Sequence, residues 1–202
     1  MYLPLHFNNI GLMEAALKSI LAQRTKLYIH EKTRLPSAVL IPIFKKDGQY
    51  HIVFIKRTNT VKTHKGQISF PGGMRDAGDK SLQDTALREA EEEIGLRKED
   101  TTLLGEMDDQ ITTTSNFIVT PFVAMIPWPY YFTAQKAEVA EIITVPIPSL
   151  LAKDAMKPET EMLDGKEVES FAYYYSGARI WGATARILNK LLAIIAHIPL
   201  NE

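Results

Sequence analysis

Three glutamates in one short segment have the spacing of a metal-binding helix face. Residues 88–95 read Arg-Glu-Ala-Glu-Glu-Glu-Ile-Gly, and at about 100° per residue Glu89, Glu92 and Glu93 fall on one face of a helix. Like charges at this spacing destabilise an isolated helix by about 0.2–0.5 kcal/mol for each pair. Bound Mg²⁺ or Mn²⁺, hard cations that prefer oxygen ligands, would offset that repulsion. A solvated acidic face is the alternative, and the segment alone is compatible with both.

A glycine pair before this segment favours the metal site. Residues 70–73 read Phe-Pro-Gly-Gly and lead into a loop that contains Asp76 and Asp79. Adjacent glycines adopt backbone angles that are closed to other residues, and they leave room for a ligand close to the main chain. Because the pair reaches the acidic helix within one loop, a backbone carbonyl and the three carboxylates can surround one metal cluster.

The acidic segment is predicted to lie on a helix that packs against a sheet. Helix-favouring residues run from 81 to 94, and Gly95 stands where a C-terminal cap would. Leu87, Ala90 and Ile94 fall roughly opposite the glutamates, so we expect them to be buried.

The rest of the chain predicts one α/β domain, a mixed sheet with helices packed on it. Two β-rich runs around residues 45–48, Lys-Lys-Asp-Gly, predict a hairpin. Strands are predicted over residues 38–44, 51–56, 67–70, 103–104, 117–126, 139–145 and 171–175, and two further helices over residues 9–23 and 181–195. Pro146 and Pro148 are predicted to mark a loop. No repeat or linker divides the chain.

The composition excludes several classes of protein. Of 202 residues, 46% are hydrophobic and 23% are charged, a balance typical of a soluble globular protein. The absence of cysteine excludes disulfides, thiolate metal sites and a thiol nucleophile. A formal net charge of −1 gives no general attraction to nucleic acid, and no apolar run approaches the ~18 residues of a membrane span. Since the amino terminus has no signal-peptide pattern, we expect a cytoplasmic monomer or homodimer without nucleic-acid or membrane partners.

Residues 73–96 resemble the Nudix box, whose usual pattern is Gly, five residues, Glu, seven residues, then Arg-Glu-apolar-x-Glu-Glu-x-Gly-apolar. The second half of this pattern matches fully at residues 88–96. The first half departs from it, because Asp79 stands six residues after Gly73 in place of glutamate and eight residues separate it from Arg88. The departure leaves the role of Asp79 open.

A second resemblance concerns the coenzyme A diphosphatase branch of the Nudix hydrolases. Residues 55–58 and 61–73 are similar to the signature that precedes the box in that branch. The branch also tends to carry the lengthened loop, and residues 115–121 and 181–187 look like further segments of it. The likeness therefore spans roughly residues 38–191.

The resemblance implies a fold and an activity. The fold would be a Nudix-type α/β/α sandwich over residues 36–202, with an N-terminal helical extension over residues 1–35. The activity would be metal-dependent hydrolysis of the pyrophosphate bond of coenzyme A or acyl-coenzyme A, giving 4′-phosphopantetheine and adenosine 3′,5′-bisphosphate. The alternatives are a Nudix enzyme for another nucleoside diphosphate derivative, such as ADP-ribose or a dinucleotide, and a Nudix-fold binding protein without catalysis. The complete glutamate set argues against the last, because a binding module needs no triple carboxylate.

The resemblance also implies roles for residues of the box. The implied ligands of Mg²⁺ or Mn²⁺ are the carbonyl of Gly72 and the carboxylates of Glu89, Glu92 and Glu93. The implied structural residues are Gly73, Arg88 and Gly95. We expect Arg88 to pair with one of the glutamates rather than to touch substrate.

Candidates for the general base lie both inside and outside the box, and candidates for substrate contacts lie outside it. The base would be a box glutamate, with Glu92 as the candidate, or Glu138, for which a plain surface glutamate is the alternative; Glu141 is the fallback. The implied substrate-binding residues are Arg57, Lys62 and His64. Arg57 can grip a phosphate with two hydrogen bonds, whereas His64 could instead fix its loop and Lys62 could be solvated. We expect Trp181 in the core rather than as a base-stacking platform.

Overall fold

The computed structural model describes residues 9–59, 65–113, 115–163 and 166–198. Its main sheet has eight strands, which are β1 (Leu35–Lys46), β2 (Gln49–Arg57), β3 (Ile68–Ser69), β4 (Gly72–Met74), β5 (Thr102–Glu106), β6 (Gln110–Ile111), β7 (Phe117–Met125) and β8 (Val139–Pro146). A smaller sheet contains β9 (Met156–Leu163), β10 (Lys166–Tyr175) and β11 (Ala178–Ile180). The helices are α1 (Asn9–Gln23), α2 (Leu82–Ile94), α3 (Ile147–Leu151) and α4 (Gly182–Ile195), with a 3₁₀ turn at Lys98–Asp100.

The main sheet is mixed, as predicted. Its central order is β3-β2-β1-β7-β5, with β4 paired to β1, β6 to β7 and β8 to β2. Strands β1 and β7 run parallel, from Leu35 opposite Phe117 to Ile43 opposite Met125, and the other pairs are antiparallel. Along its other edge β1 pairs with β4 near its start and with β2 near its end. This arrangement brings the glycine pair of β4 beside the first half of β1.

The alternation of side chains along β1 and β2 gives the sheet two buried faces. One face packs against α2 through a cluster that includes Leu40, Val53 and Leu87. The opposite face packs against α1 and α4 through a larger cluster that includes Ile41, Phe54, Met13 and Leu188. Residues i and i+2 of a strand point to the same face, so a nearly continuous apolar run is what a strand buried on both sides requires. The α/β/α sandwich is therefore confirmed.

Several features differ from the predictions. Pro146 ends β8 and Pro148 lies in the first turn of α3, where a loop was expected; the first turn of a helix uses no N–H from its first residues, so proline is tolerated there. Strands β4, β6, β9 and β11 were not predicted. Half of the residues of β9 are polar and it includes Pro158, and the other three strands span only two or three residues each. The described part of the chain thus contains four α-helices rather than three, and none of them is long and apolar enough to cross a membrane.

Candidate active site

Helix α2 carries the predicted glutamates, and its ends are fixed by local capping. The Ser81 hydroxyl accepts a 3.1 Å hydrogen bond from the Asp84 N–H at the N-terminus. At the C-terminus Gly95 adopts a left-handed conformation, with φ of 68°, and its N–H returns to carbonyls of the last turn. Leu87, Ala90 and Ile94 are buried on the sheet, as predicted. The glutamates on the other side of the helix therefore approach β4.

Glu93 is not part of a solvated acidic face. It is only 2% exposed, and its carboxylate accepts a 2.9 Å hydrogen bond from the Gly72 N–H and a 3.3 Å hydrogen bond from Arg57 Nη1. Burial raises the pKa of Glu93 to about 8, and these two contacts only partly oppose the shift. The Gly72 N–H and Arg57 thus offset only part of the cost of burying this carboxylate.

The glycine pair lets the main chain of β4 approach the glutamates closely. A Cβ atom at Gly73 would lie 2.4–2.6 Å from the carboxylate atoms of Glu89, and one at Gly72 would lie 2.3 Å from the Ala38 carbonyl oxygen. Gly72 also has φ of 155°, which side chains disfavour. Burial raises the pKa of Glu89. Gly73 therefore leaves room for the Glu89 carboxylate, and Gly72 lets β4 lie close to β1 while its N–H reaches Glu93.

Arg88, on helix α2, binds Asp79 in the acidic loop that precedes the helix. Its Nε and Nη2 atoms each donate to the Asp79 carboxylate at 3.0 Å. Asp79 is buried and accepts further hydrogen bonds, of 2.9 Å each, from Thr85 Oγ1 and the Asp76 N–H. The hydrogen bonds from Arg88 are the main reason why the pKa of Asp79 lies well below its usual range. Asp79 thus anchors Arg88, a role that the sequence pattern did not show.

Arg88 also holds the two more exposed glutamates. Its Nη1 atom lies 2.9 Å from a Glu89 oxygen and 3.0 Å from a Glu92 oxygen. The Glu92 side chain is 58% exposed, against 17% for Glu89. The three glutamates therefore share one helix face but differ widely in burial, with Glu92 closest to solvent.

The donor atoms of this site suit a hard divalent cation. Carboxylate and carbonyl oxygens are the ligands that Mg²⁺ and Mn²⁺ prefer, and the Arg57 guanidinium offsets only part of the cost of burying the Glu93 carboxylate. Within the described ranges, no three acidic or histidine side chains converge closely enough to hold a metal ion as they stand. Two of the box glutamates face Arg88 and the third faces Arg57. Metal binding would thus require these side chains to turn away from the arginines.

Arg57 and Glu138 meet at the edge of the acidic cluster. The β2–β8 ladder has an irregularity at Arg57, and the Thr58 N–H donates to the Glu138 carbonyl at 2.8 Å. Arg57 Nη2 lies 3.9 Å from the half-exposed carboxylate of Glu138. The charge of Glu138 helps to raise the pKa of both Glu89 and Glu93. Glu138 therefore lies close to the box glutamates although 44 residues separate it from the last of them.

The other predicted residues lie further from the cluster or outside the described part of the chain. Lys62 and His64 lie outside the described residues. Glu141 is exposed on β8, opposite Lys56 in the ladder. Trp181 is half-buried, with the Arg179 guanidinium 4.8 Å from its ring centre, and it lines a cavity rather than the core.

This cavity, of about 270 Å³, adjoins the glycine pair. It lies between β1, β3, β4, the turn after β6 and the start of α4. Its wall includes the apolar side chains of Val39, Phe70, Phe117, Val119 and Ile187 and the hydroxyls of Ser37, Thr112 and Thr184. Arg57 lines it as well, so this side chain contacts both the cavity and the acidic cluster. Sequence reasoning missed the cavity, because its wall combines segments that are far apart in the chain.

Comparison with known proteins agrees with the fold and the box. Residues 34–164 match the NUDIX domain family. The uncharacterized Nudix hydrolase NudL of Photorhabdus laumondii is 34% identical over 77% of this chain and 82% of its own length. The NudL protein of an Enterobacter species is 31% identical over 87% of this chain and 91% of its own length.

Two crystal structures share the fold. RenU, a Nudix hydrolase from M. smegmatis, superimposes with a TM-score of 0.54 at 20% identity over 84% of this chain and 90% of its own. A MutT/nudix family protein from Enterococcus faecalis gives a TM-score of 0.55 at 14% identity over 98% and 79%. With the sequence match over most of the chain, these findings identify the protein as a member of the Nudix hydrolase family, whose enzymes act on phosphoric anhydrides and generally use divalent metal ions.

Proposed function

We propose that this protein hydrolyses the pyrophosphate bond of coenzyme A or an acyl-coenzyme A with Mg²⁺ or Mn²⁺. One observation carries the proposal: Arg57, from the signature that precedes the box, contacts Glu93 and also lines the adjoining cavity. We infer that Arg57, which belongs to the segment that resembles the coenzyme A branch, contacts the pyrophosphate where the substrate reaches the acidic cluster. The products would be 4′-phosphopantetheine and adenosine 3′,5′-bisphosphate.

The metal ligands in this proposal are the box glutamates and a backbone carbonyl. Glu89, Glu92, Glu93 and the Gly72 carbonyl would hold the ions. Bound divalent ions neutralise phosphate oxygens and lower the pKa of a coordinated water. Glu93 must lose its proton to take part, because only the carboxylate is a ligand. Because burial raises the pKa of Glu93, metal binding at this position would be coupled to the loss of its proton.

Glu138 is the general base in this proposal, with Glu92 as the second candidate. Its half-exposed carboxylate lies at the edge of the cluster, where water has access. There it would take a proton from the attacking water as the new bond to phosphorus forms and the bond to the bridging oxygen breaks. A base must reach both the water and the solvent, which Glu93 cannot do at 2% exposure.

Arg57 has a hydrogen-bond donor to offer to the substrate. Among the described residues its buried Nε atom has no hydrogen-bond partner, although Nη1 and Nη2 face Glu93 and Glu138. An unsatisfied buried donor of a charged group is costly. A phosphate oxygen of the substrate would satisfy it, which is why we assign Arg57 to the pyrophosphate.

A product-resolved assay tests this proposal. The purified protein is incubated with coenzyme A at saturating Mg²⁺ or Mn²⁺, and the products are separated and identified. We expect equal amounts of 4′-phosphopantetheine and adenosine 3′,5′-bisphosphate, and none without metal. Cleavage of dinucleotides or ADP-ribose with no cleavage of coenzyme A would replace the proposal by another nucleoside diphosphate substrate.

A further inference from the structure

We propose that the cavity beside the glycine pair binds the pantetheine arm of the substrate, and not its adenosine end. This inference rests on the proposed function and assigns one part of that substrate to one part of the molecule. The cavity reaches the acidic cluster at Arg57, Gly72 and Gly73, which line it. A substrate held by its pyrophosphate at that junction would direct one of its two substituents into the cavity.

The size of the cavity limits it to a fragment of such a substrate. Its volume is about 270 Å³, just below the roughly 300–1,000 Å³ that is usual for pockets holding a drug-sized ligand. A whole dinucleotide-like molecule would not fit. One arm of the substrate, narrow and flexible, would.

The side chains that line the cavity indicate which arm of the substrate it binds. Among the described lining residues, Arg57 is the only one with a charged side chain, and its guanidinium faces Glu93 and Glu138. The 3′-phosphate of the adenosine end would need a cationic side chain of its own, and the described part of the wall offers no other than Arg57. The pantetheine arm is uncharged, with alkyl segments and two amides. Apolar side chains and hydroxyls, such as Val119, Ile187 and Thr112, match that composition.

The start of α4 supplies donors for the amide carbonyls of this arm. Residues 182–184 form the first turn of α4 and line the cavity. The N-cap residue, Trp181, makes no side-chain hydrogen bond to this turn, and the first N–H groups of a helix have no partner within it. A neutral carbonyl can accept from them without a counter-ion.

Ala183 and Ala193 offer a matched pair of substitutions on one helix. Ala183 lines the cavity, whereas Ala193 is exposed near the other end of α4. In Ala183→Leu the added carbons would enter the cavity, and in Ala193→Leu they would face solvent. We expect Ala183→Leu to weaken binding of 4′-phosphopantetheine by about tenfold or more and to leave binding of adenosine 3′,5′-bisphosphate unchanged. Ala193→Leu should change neither dissociation constant. Calorimetric titration with each compound, in the presence of Mg²⁺, measures both.

A fluorescence titration gives a readout that does not need a cavity variant. The chain has two tryptophans, and Trp128 stacks on Phe44 outside the cavity wall. In Trp128→Phe the emission comes from Trp181 alone. We expect 4′-phosphopantetheine to change this emission and adenosine 3′,5′-bisphosphate to leave it unchanged.

The outcomes separate this inference from the proposed function. Selective loss of adenosine 3′,5′-bisphosphate binding in Ala183→Leu, or equal loss of both compounds, would overturn the cavity assignment. So would a protein that cleaves coenzyme A but whose Trp181 emission and Ala183→Leu affinity do not respond to 4′-phosphopantetheine. A protein that binds 4′-phosphopantetheine in the cavity without cleaving coenzyme A would support the assignment and contradict the proposed function.

Discussion

Two arginines hold buried carboxylates beside the acidic helix, and they hold them differently. Arg88 grips Asp79 with two hydrogen bonds of 3.0 Å, whereas Arg57 reaches Glu93 with one of 3.3 Å. The pKa of Asp79 consequently lies well below its usual range, while burial outweighs Arg57 and raises the pKa of Glu93 to about 8. The first pair is a fixed anchor for the loop before α2. The second leaves a carboxylate short of positive charge, which is what a cation-binding position requires.

The largest expected effect is a loss of turnover when Glu93 is substituted. Glu93→Gln keeps the shape of the side chain but removes an anionic metal ligand, so turnover of the preferred nucleotide substrate should fall at least about a hundredfold. We expect a similar fall in turnover for Glu92→Gln. Glu91→Gln, a change at the exposed position just before them in the chain, serves as the control and should retain wild-type turnover. Steady-state rates at saturating metal, with thermal unfolding to verify the fold, measure these effects; near wild-type turnover in Glu93→Gln would mean that Glu93 is not a ligand.

A smaller effect, a loss of stability, is expected when Asp79 is substituted. Asp79→Asn removes charge-assisted hydrogen bonds from Arg88 and should lower the free energy of unfolding at pH 7 by about 1.5–3 kcal/mol. Asp76→Asn is the matched control, because the Asp76 side chain is 63% exposed and lies 3.9 Å from Arg88; its effect should stay within about 0.5 kcal/mol. Denaturant unfolding measures both variants.

The stabilisation that Asp79 provides depends on pH in a direction set by the lowered pKa of its carboxyl group. Because the folded-state pKa is lowered, the stabilisation is fully present above the ordinary value of 3.8 and is lost as the pH falls through the folded-state pKa. The stabilities of the wild-type protein and Asp79→Asn should therefore converge only in strong acid. A difference that disappears already between pH 7 and pH 5 would contradict the anchor role.

Some elements of the site were predictable because their determinants are local. Ser81, Gly95 and the spacing of Leu87, Ala90 and Ile94 fix helix α2 within a single segment. The two strands around residues 45–48 likewise follow from local pattern. Strand β9 was missed because its polar residues become a strand only through pairing with β10.

Other features depend on contacts between distant segments and could not be predicted. The burial of Glu93 depends on the packing of β4 against helix α2. The helical pattern alone does not distinguish Glu93 from Glu89 and Glu92. The position of Glu138 depends on the β2–β8 ladder. The cavity depends on α4 closing over β1 and β4, which lie more than 100 residues earlier in the chain. Sequence spacing predicted that the three glutamates share one helix face, and the tertiary contacts determine how they differ in burial and in ion pairing.

The substrate preference of the wild-type protein tests the coenzyme A assignment itself. Values of kcat/KM are compared for coenzyme A, its 3′-dephospho form and ADP-ribose, at the same saturating concentration of Mg²⁺. Since each charge-assisted or well-packed contact that a smaller substrate lacks is worth about tenfold or more in efficiency, coenzyme A should be cleaved far more efficiently than ADP-ribose, with the dephospho form below coenzyme A. Equal values for all three substrates would contradict the coenzyme A assignment and leave only a general Nudix pyrophosphatase.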